Sequence, residues 1–251
     1  MYGVYFKMIT RSLLKNRRYA FISIGGLAIG ISVFMLIALW TYDELSFNKC
    51  HENYASIARV MRNELAVTDG IYTSEILTTG MGTLLKTSYG NQFSKIALVR
   101  GRIEDRIFAL GDNKFTGKGY FLQPDGPEML SLKMLFGTRD GLSDINSILL
   151  SRSLARKLFG EGSPIGQAVK MDALSDMKVT GVYEDLPRNS DFAEAEYFAP
   201  LDKYLEGWSH LNVWNNYNMY LLVQLKPGAN FEQASSVIRH TIQLYDPKTK
   251  T

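Results

Sequence analysis

Three glycines in the stretch FGEGSPIGQ, Gly160, Gly162 and Gly166, have the density of a loop that could wrap a phosphate. That chemistry needs a following Gly-Lys-Ser/Thr, whose lysine reaches the outer phosphates, and the stretch lacks it. Ser12 and Lys15 stand at the Ser-x-x-Lys spacing of a serine nucleophile with a lysine base. They lie in a basic N-terminal stub outside any folded pocket, and no Gly-x-Ser-x-Gly elbow occurs elsewhere. His51 with Glu52 resembles the start of a zinc-protease helix, but no second histidine follows four residues later. His51, His210 and His240 are too far apart in sequence to form a metal-ligand set. The acid pairs Glu104-Asp105 and Glu184-Asp185 sit beside turns and read as solvated charges. The residues therefore predict no enzyme, no cofactor and no metal site. Cys50 is the only cysteine, so no internal disulfide staples the fold and packing must hold it.

The strongest pattern is not chemical. Residues 21–40, FISIGGLAIGISVFMLIALW, carry no charge. Twenty helical residues rise about 30 Å, the thickness of a bilayer core. A transmembrane helix is predicted over residues 20–42, preceded by a cytoplasmic stub at 1–19. Five of the 28 basic residues, Lys7, Arg11, Lys15, Arg17 and Arg18, precede the span, and no acid does. The rest of the chain holds 23 basic and 25 acidic residues, a net charge of −2. The positive-inside rule places the N-terminus in the cytoplasm and the bulk of the chain outside it. The basic surplus belongs to the stub and is no sign of nucleic-acid binding. The apolar run is longer than a signal peptide's and ends in Leu39, Trp40, Thr41 and Tyr42, with no small-residue cleavage site. In the stub, Phe6, Ile9, Leu13 and Leu14 share a helical face suited to the inner leaflet. Within the span, Gly26 and Gly30 form a small-xxx-small pair that permits close contact with another helix, and Ser23 could hydrogen-bond across it.

Residues 43–251 alternate strand and helix patterns. Strands are predicted at 57–61, 95–101, 148–150, 196–199 and 219–225, and hairpins at 106–110/114–122 and 168–171/178–183. Helices are predicted at 73–87, 127–136, 151–159 and from 230 to about 245. Ser151 and Asn230 are the caps of the last two, and Gly160 is the stop of the first of these. Ile57, Leu84, Leu98, Leu149, Leu158, Val182, Leu222 and Ile238 are the candidate core. The class is α+β. The element string suggests a two-lobed domain, a ferredoxin-like α/β sandwich (43–102 and 191–246) with a mixed α/β lobe inserted at 103–190.

Three stretches together resemble the MacB/FtsX-type ABC transporter permeases. One is residues 6–40 followed by YDELSFNKCHENYASIARV. The second is ILLSRSLARKLFGEGSPIGQAVKMD, with Leu158, Phe159, Gly160, Pro164, Ile165 and Gly166. The third is MKVTGVYEDLPRNSDF, with Gly181, Val182, Asp185, Pro187, Asn189 and Ser190. These are fold-making residues, with Asp185, Pro187 and Asn189 expected to build a turn. The resemblance implies a bacterial inner-membrane permease, a homodimer when complete, whose separate cytoplasmic subunit hydrolyses ATP. It implies that this subunit's motion reaches the periplasmic domain, and it passes on no catalytic residue and no thiol role for Cys50. Family permeases carry at least four transmembrane helices against one here, so the chain is expected to be an N-terminal part of one. A ligand-sensing domain of a membrane receptor is the alternative, and a kinase domain in the gene beyond Thr251 would favour it.

Overall fold

A computed structural model describes residues 8, 11, 15–66, 70–208, 214, 216–239 and 241. The amphipathic pattern at 6–14, His210, His240 and the expected end of the last helix near 245 lie outside the described residues. The chain divides into two compact units, Met1–Phe47 and Asn48–Thr251.

In the first unit, helix α1 (Arg17–Leu45) runs 29 residues with no buried side chain. It is long and apolar enough to cross a membrane and extends past 42 through Asp43 and Glu44. Ser32 satisfies itself by donating to the Ala28 carbonyl at 2.8 Å.

The second unit is built on strands β1 (Ile57–Arg59), β2 (Arg62–Ala66), β3 (Gly70–Ser74), β4 (Leu77–Thr78), β5 (Phe93–Arg100), β6 (Glu104–Leu110), β7 (Asn113–Leu122), β8 (Met134–Gly137), β9 (Ser147–Ser151), β10 (Ala168–Met171), β11 (Ser175–Tyr183), β12 (Tyr197–Pro200) and β13 (Tyr217–Leu225). Its helices are α2 (Thr79–Tyr89), α3 (Gly126–Met129), α4 (Arg152–Phe159), α5 (Leu201–Leu205) and α6 (Phe231–Ile238). Eleven strands share one sheet in the order β1-β13-β5-β7-β12-β9-β11-β10-β6, with β4 on β13 and β8 on β11. Because β6 also pairs with β7, six strands from β7 through β12, β9, β11 and β10 to β6 close on themselves. A closed circuit leaves no free edge among its members, which removes the usual site of strand-to-strand association. The hairpin β2-β3 forms a separate two-stranded sheet.

The central strands β5, β9, β12 and β13 are largely buried on both faces, and their side chains alternate between two cores. Ile96, Leu98, Ile148, Leu150, Tyr197 and Leu221 enter one, packed under α2, α4 and α6. Ala97, Val99, Leu149, Phe198 and Leu222 enter the other, with Leu130, Leu132 and Phe192 from the loops. The two-residue period of a strand imposes this division. Among the expected core residues, Leu84, Leu98, Leu149, Leu158, Val182 and Leu222 are buried, whereas Ile57 and Ile238 are partly covered.

Two expected helices are corrected. Residues 73–74 end strand β3, residues 77–78 form strand β4, and the helix begins at Thr79. Leu77 and Thr78 pair with Met219 and Tyr217 of β13, so a long-range ladder overrides the helical spacing. The helix expected at 127–136 stops at Met129, and residues 134–137 are strand β8 against β11. Between them Ser131 takes φ 49°, a left-handed turn that ends the helix. The sheet is hydrogen-bonded across both expected lobes, through β5 and β7, so the ferredoxin-like two-lobe division stays a proposal.

Candidate functional site: the segment after the apolar helix

Three residues beyond α1 the chain is already tied down. Asn48 adopts φ 60°, a conformation asparagine tolerates better than most residues. Its backbone N–H donates to the Asn189 carbonyl at 2.8 Å. Its side-chain amide donates to Asp191 Oδ2 at 3.1 Å, while its Oδ1 accepts from the Asp191 N–H at 2.9 Å. Asp191 also receives Arg59 Nη2 at 2.7 Å. Arg59 pairs in addition with Glu75 and lies 4.4 Å over the Tyr220 ring.

The same short segment grips a second loop. His51 is buried and donates through Nδ1 to the Leu130 carbonyl at 2.7 Å, a bond that assigns the tautomer. Burial pushes its pKa below the ordinary value, against the pull of the Leu130 carbonyl and of Asp191. The Glu52 N–H donates to Ser131 Oγ at 3.0 Å, and its carboxylate meets Arg139 at 3.1 Å. Arg139 donates in turn to the Leu132 carbonyl at 2.8 Å. Residues 48–52 are thus clamped between the 189–191 and 130–132 loops. Cys50 is exposed, with Ser190 as hydrogen-bond partner. Desolvation raises its pKa, which keeps the thiol protonated and a poor nucleophile.

The motif residues fall into two groups. Asn189 and Ser190 belong to the clamp, and Ser190 is buried beside it. Asp185 does more than shape a turn. Its carboxylate accepts from the N–H and the hydroxyl of Ser153, at 3.1 and 2.8 Å, and so caps α4 together with Ser151, which accepts from the Leu154 N–H. Pro187 is exposed in the loop between these two jobs. Gly181 lets β11 pass under Met134 and Leu149, where a Cβ would come within 2.6 and 2.7 Å of their side chains. Val182, Leu158 and the half-buried Phe159 pack in one core.

The glycine cluster makes a return, not a cradle. Gly160 ends α4 at φ 61°. The N–H groups of Gly160, Gly162 and Gly166 are donated to the carbonyls of Arg156, Phe159 and Val179. None of the three amides is free to bind a phosphate. Pro164 is buried at the turn, and Ile165 is exposed. The acid pairs also differ from expectation. Glu104 is not a solvated charge, because Arg100, Arg102 and Arg106 all reach it within 3.4 Å. Glu184 bridges Lys133 and Arg152, which lower its pKa. Among the described residues no three metal-ligating side chains gather. In α1, a Cβ at Gly26 or Gly30 would meet nothing within 4 Å. Ser23 shares that helix.

The clamp was not legible as a site. Asn48 and Arg59 fall in one family-like stretch and Asp191 in another some 130–140 positions later, and nothing in either stretch shows that they meet.

Comparison with known proteins gives the family. The sequence pattern of the MacB-like periplasmic core domain matches residues 20–241. A permease-protein domain from Porphyromonas gingivalis superposes with a TM-score of 0.63 at 21% identity, covering 80% of this chain and 84% of that one. The periplasmic region of MacB from Actinobacillus actinomycetemcomitans gives 0.52 at 16%, covering 67% and 73%. The extracellular domain of the noncanonic ABC-type transporter YknZ from Gram-positive bacteria gives 0.53 at 16%, covering 77% and 96%. At these identities the structures support the fold alone. No curated protein sequence matches. The extended match to the sequence pattern carries the assignment, and the chain belongs to the MacB-like periplasmic core domain family, found in ABC-type transporter permeases.

Proposed function

We propose that this chain acts within an ABC-type permease by carrying the motion of a partner ATP-binding subunit into its extracytoplasmic domain. The observation that carries the reading is the clamp. Asn48 is the third residue after α1 and is hydrogen-bonded at three points. A flexible linker would absorb a displacement of the helix. A segment hydrogen-bonded at both faces passes it to the 189–191 and 130–132 loops, and through Asp185 to α4. The N-terminus is cytoplasmic in this reading, consistent with the +5 stub. The permease is a homodimer in the lipid membrane, and Ser23, Gly26 and Gly30 form a face for a neighbouring helix. ATP is hydrolysed by the partner and not by this chain.

The test uses the complex captured by cross-linking in native membranes, with the ATP-binding subunit recognised by its phosphate loop. Asn48→Ala combined with Asp191→Ala is expected to lower the dependence of ATP hydrolysis on this chain while the complex stays assembled. Unchanged coupling in that variant refutes the transmission role. A reporter active only outside the cytoplasm, fused after Thr251, is expected to work. Activity of a cytoplasm-only reporter there refutes the orientation.

A further inference from the structure

The hairpin β2-β3 stands apart from the main sheet and overhangs α6 and the outer strands. Between them lies a groove of about 900 Å³. Its lining is mainly apolar, with Val60, Leu77, Met81, Phe93, Val223 and Ile238 among the contributors. The hairpin adds Ile71, which is 72% exposed. A volume within the ordinary range of about 300–1,000 Å³ and an apolar wall suit a small hydrophobic molecule rather than a folded partner.

The polar part of the lining specifies the charge of that molecule. Arg62 and Arg239 both line the groove. Arg62 is held 3.8 Å over the Tyr217 ring and paired with Glu64, yet its Nε is buried without a hydrogen-bond partner. Arg239 is exposed and forms no ion pair among the described residues. Glu64 is the sole carboxylate among the groove's lining residues, against three arginines with Arg59.

We infer that this groove binds an anionic amphiphile, an alkyl chain on the apolar wall with its carboxylate or equivalent acidic head on Arg62 and Arg239. The groove shares Arg59 with the clamp, but Arg62 and Arg239, the proposed head-group contacts, make none of the clamp's bonds, and the inference does not depend on the transmission role proposed above.

The experiment titrates sodium decanoate, below its self-association range, into the full chain in phosphatidylcholine nanodiscs, by calorimetry with empty discs subtracted. One saturable site is expected. Decyltrimethylammonium and hexanoate should each bind at least about tenfold more weakly, since a charge-assisted hydrogen bond or several methylenes are lost. Ser235→Trp, at an exposed lining position, should block the site without touching the core. Arg239→Gln should weaken it by about tenfold. Absence of saturable binding overturns the inference, as does equal binding by the cationic probe. Undiminished binding in Ser235→Trp places decanoate elsewhere and also overturns it. A groove that ignores decanoate but takes an apolar decapeptide with a free C-terminus overturns it in favour of a peptide partner.

Discussion

Replacing Asp191 by alanine tests whether the clamp is energetic or merely geometric. The carboxylate accepts one hydrogen bond from Asn48 and one charged hydrogen bond from Arg59, at 3.1 and 2.7 Å. The Asp191 N–H to Asn48 Oδ1 bond remains available to alanine. Hydrogen bonds contribute about 0.5–1.5 kcal/mol net, more with a charged partner. The Asp191 side chain is 37% exposed, which screens the pair and reduces its contribution. Arg59 keeps Glu75 and the Tyr220 ring, so no unpaired charge is left behind. The expected loss is about 1–2 kcal/mol. It is read as a lower urea midpoint at constant slope for residues 48–251, the second compact unit. Asp176→Ala removes a pair in which both side chains are more than half exposed and should leave the midpoint essentially unchanged. Hydrogen exchange should show faster opening of the amides of Asn48 and Glu52 in Asp191→Ala only. Equal midpoints for the two variants, with unchanged exchange at residues 48–52, would refute the reasoning.

Four further outcomes are expected. His51 has a folded pKa below its ordinary value of 6.5, so the unfolded chain takes up more protons as pH falls. Its contribution is full above about pH 6.5 and is lost below that value, and His51→Gln should flatten the stability profile there. Leu149→Ala removes a fully buried side chain from the second core and should cost about 2–5 kcal/mol by urea unfolding, more than Ile57→Ala. Asp185→Ala and Ser151→Ala each remove a cap from α4 and should each cost about 1 kcal/mol, with effects that are not additive because they serve one helix end. Gly181→Val forces branched atoms toward Met134 and Leu149 and should cost about 1–3 kcal/mol, with Gly181→Ala milder because Met134 can move.

The sequence by itself determined the elements whose signals are local. An uncharged apolar run of twenty residues reads as a long apolar helix, and it is one. Ser151 and Asn230 each cap the helix that follows, because a cap and its N–H lie within a few residues. The hairpins of β6-β7 and β10-β11 were legible for the same reason: two strands and one short turn. Three ordered motifs were enough to name the family.

Tertiary structure decided what depends on distant partners. Leu77 and Thr78 fall within a helical spacing but pair with β13 some 140 positions away, and strand propensity shows itself only when that partner is present. The small hairpin β2-β3 escaped notice because its solvent-facing residues lack a buried alternation. Closure of the six-strand circuit required β6 to meet both β7 and β10, a fact no single segment encodes. The clamp was equally hidden. Its bonds join residues 48–52 to loops about 80 and 140 positions later, and polar residues in loops carry no periodicity from which such a contact could be read.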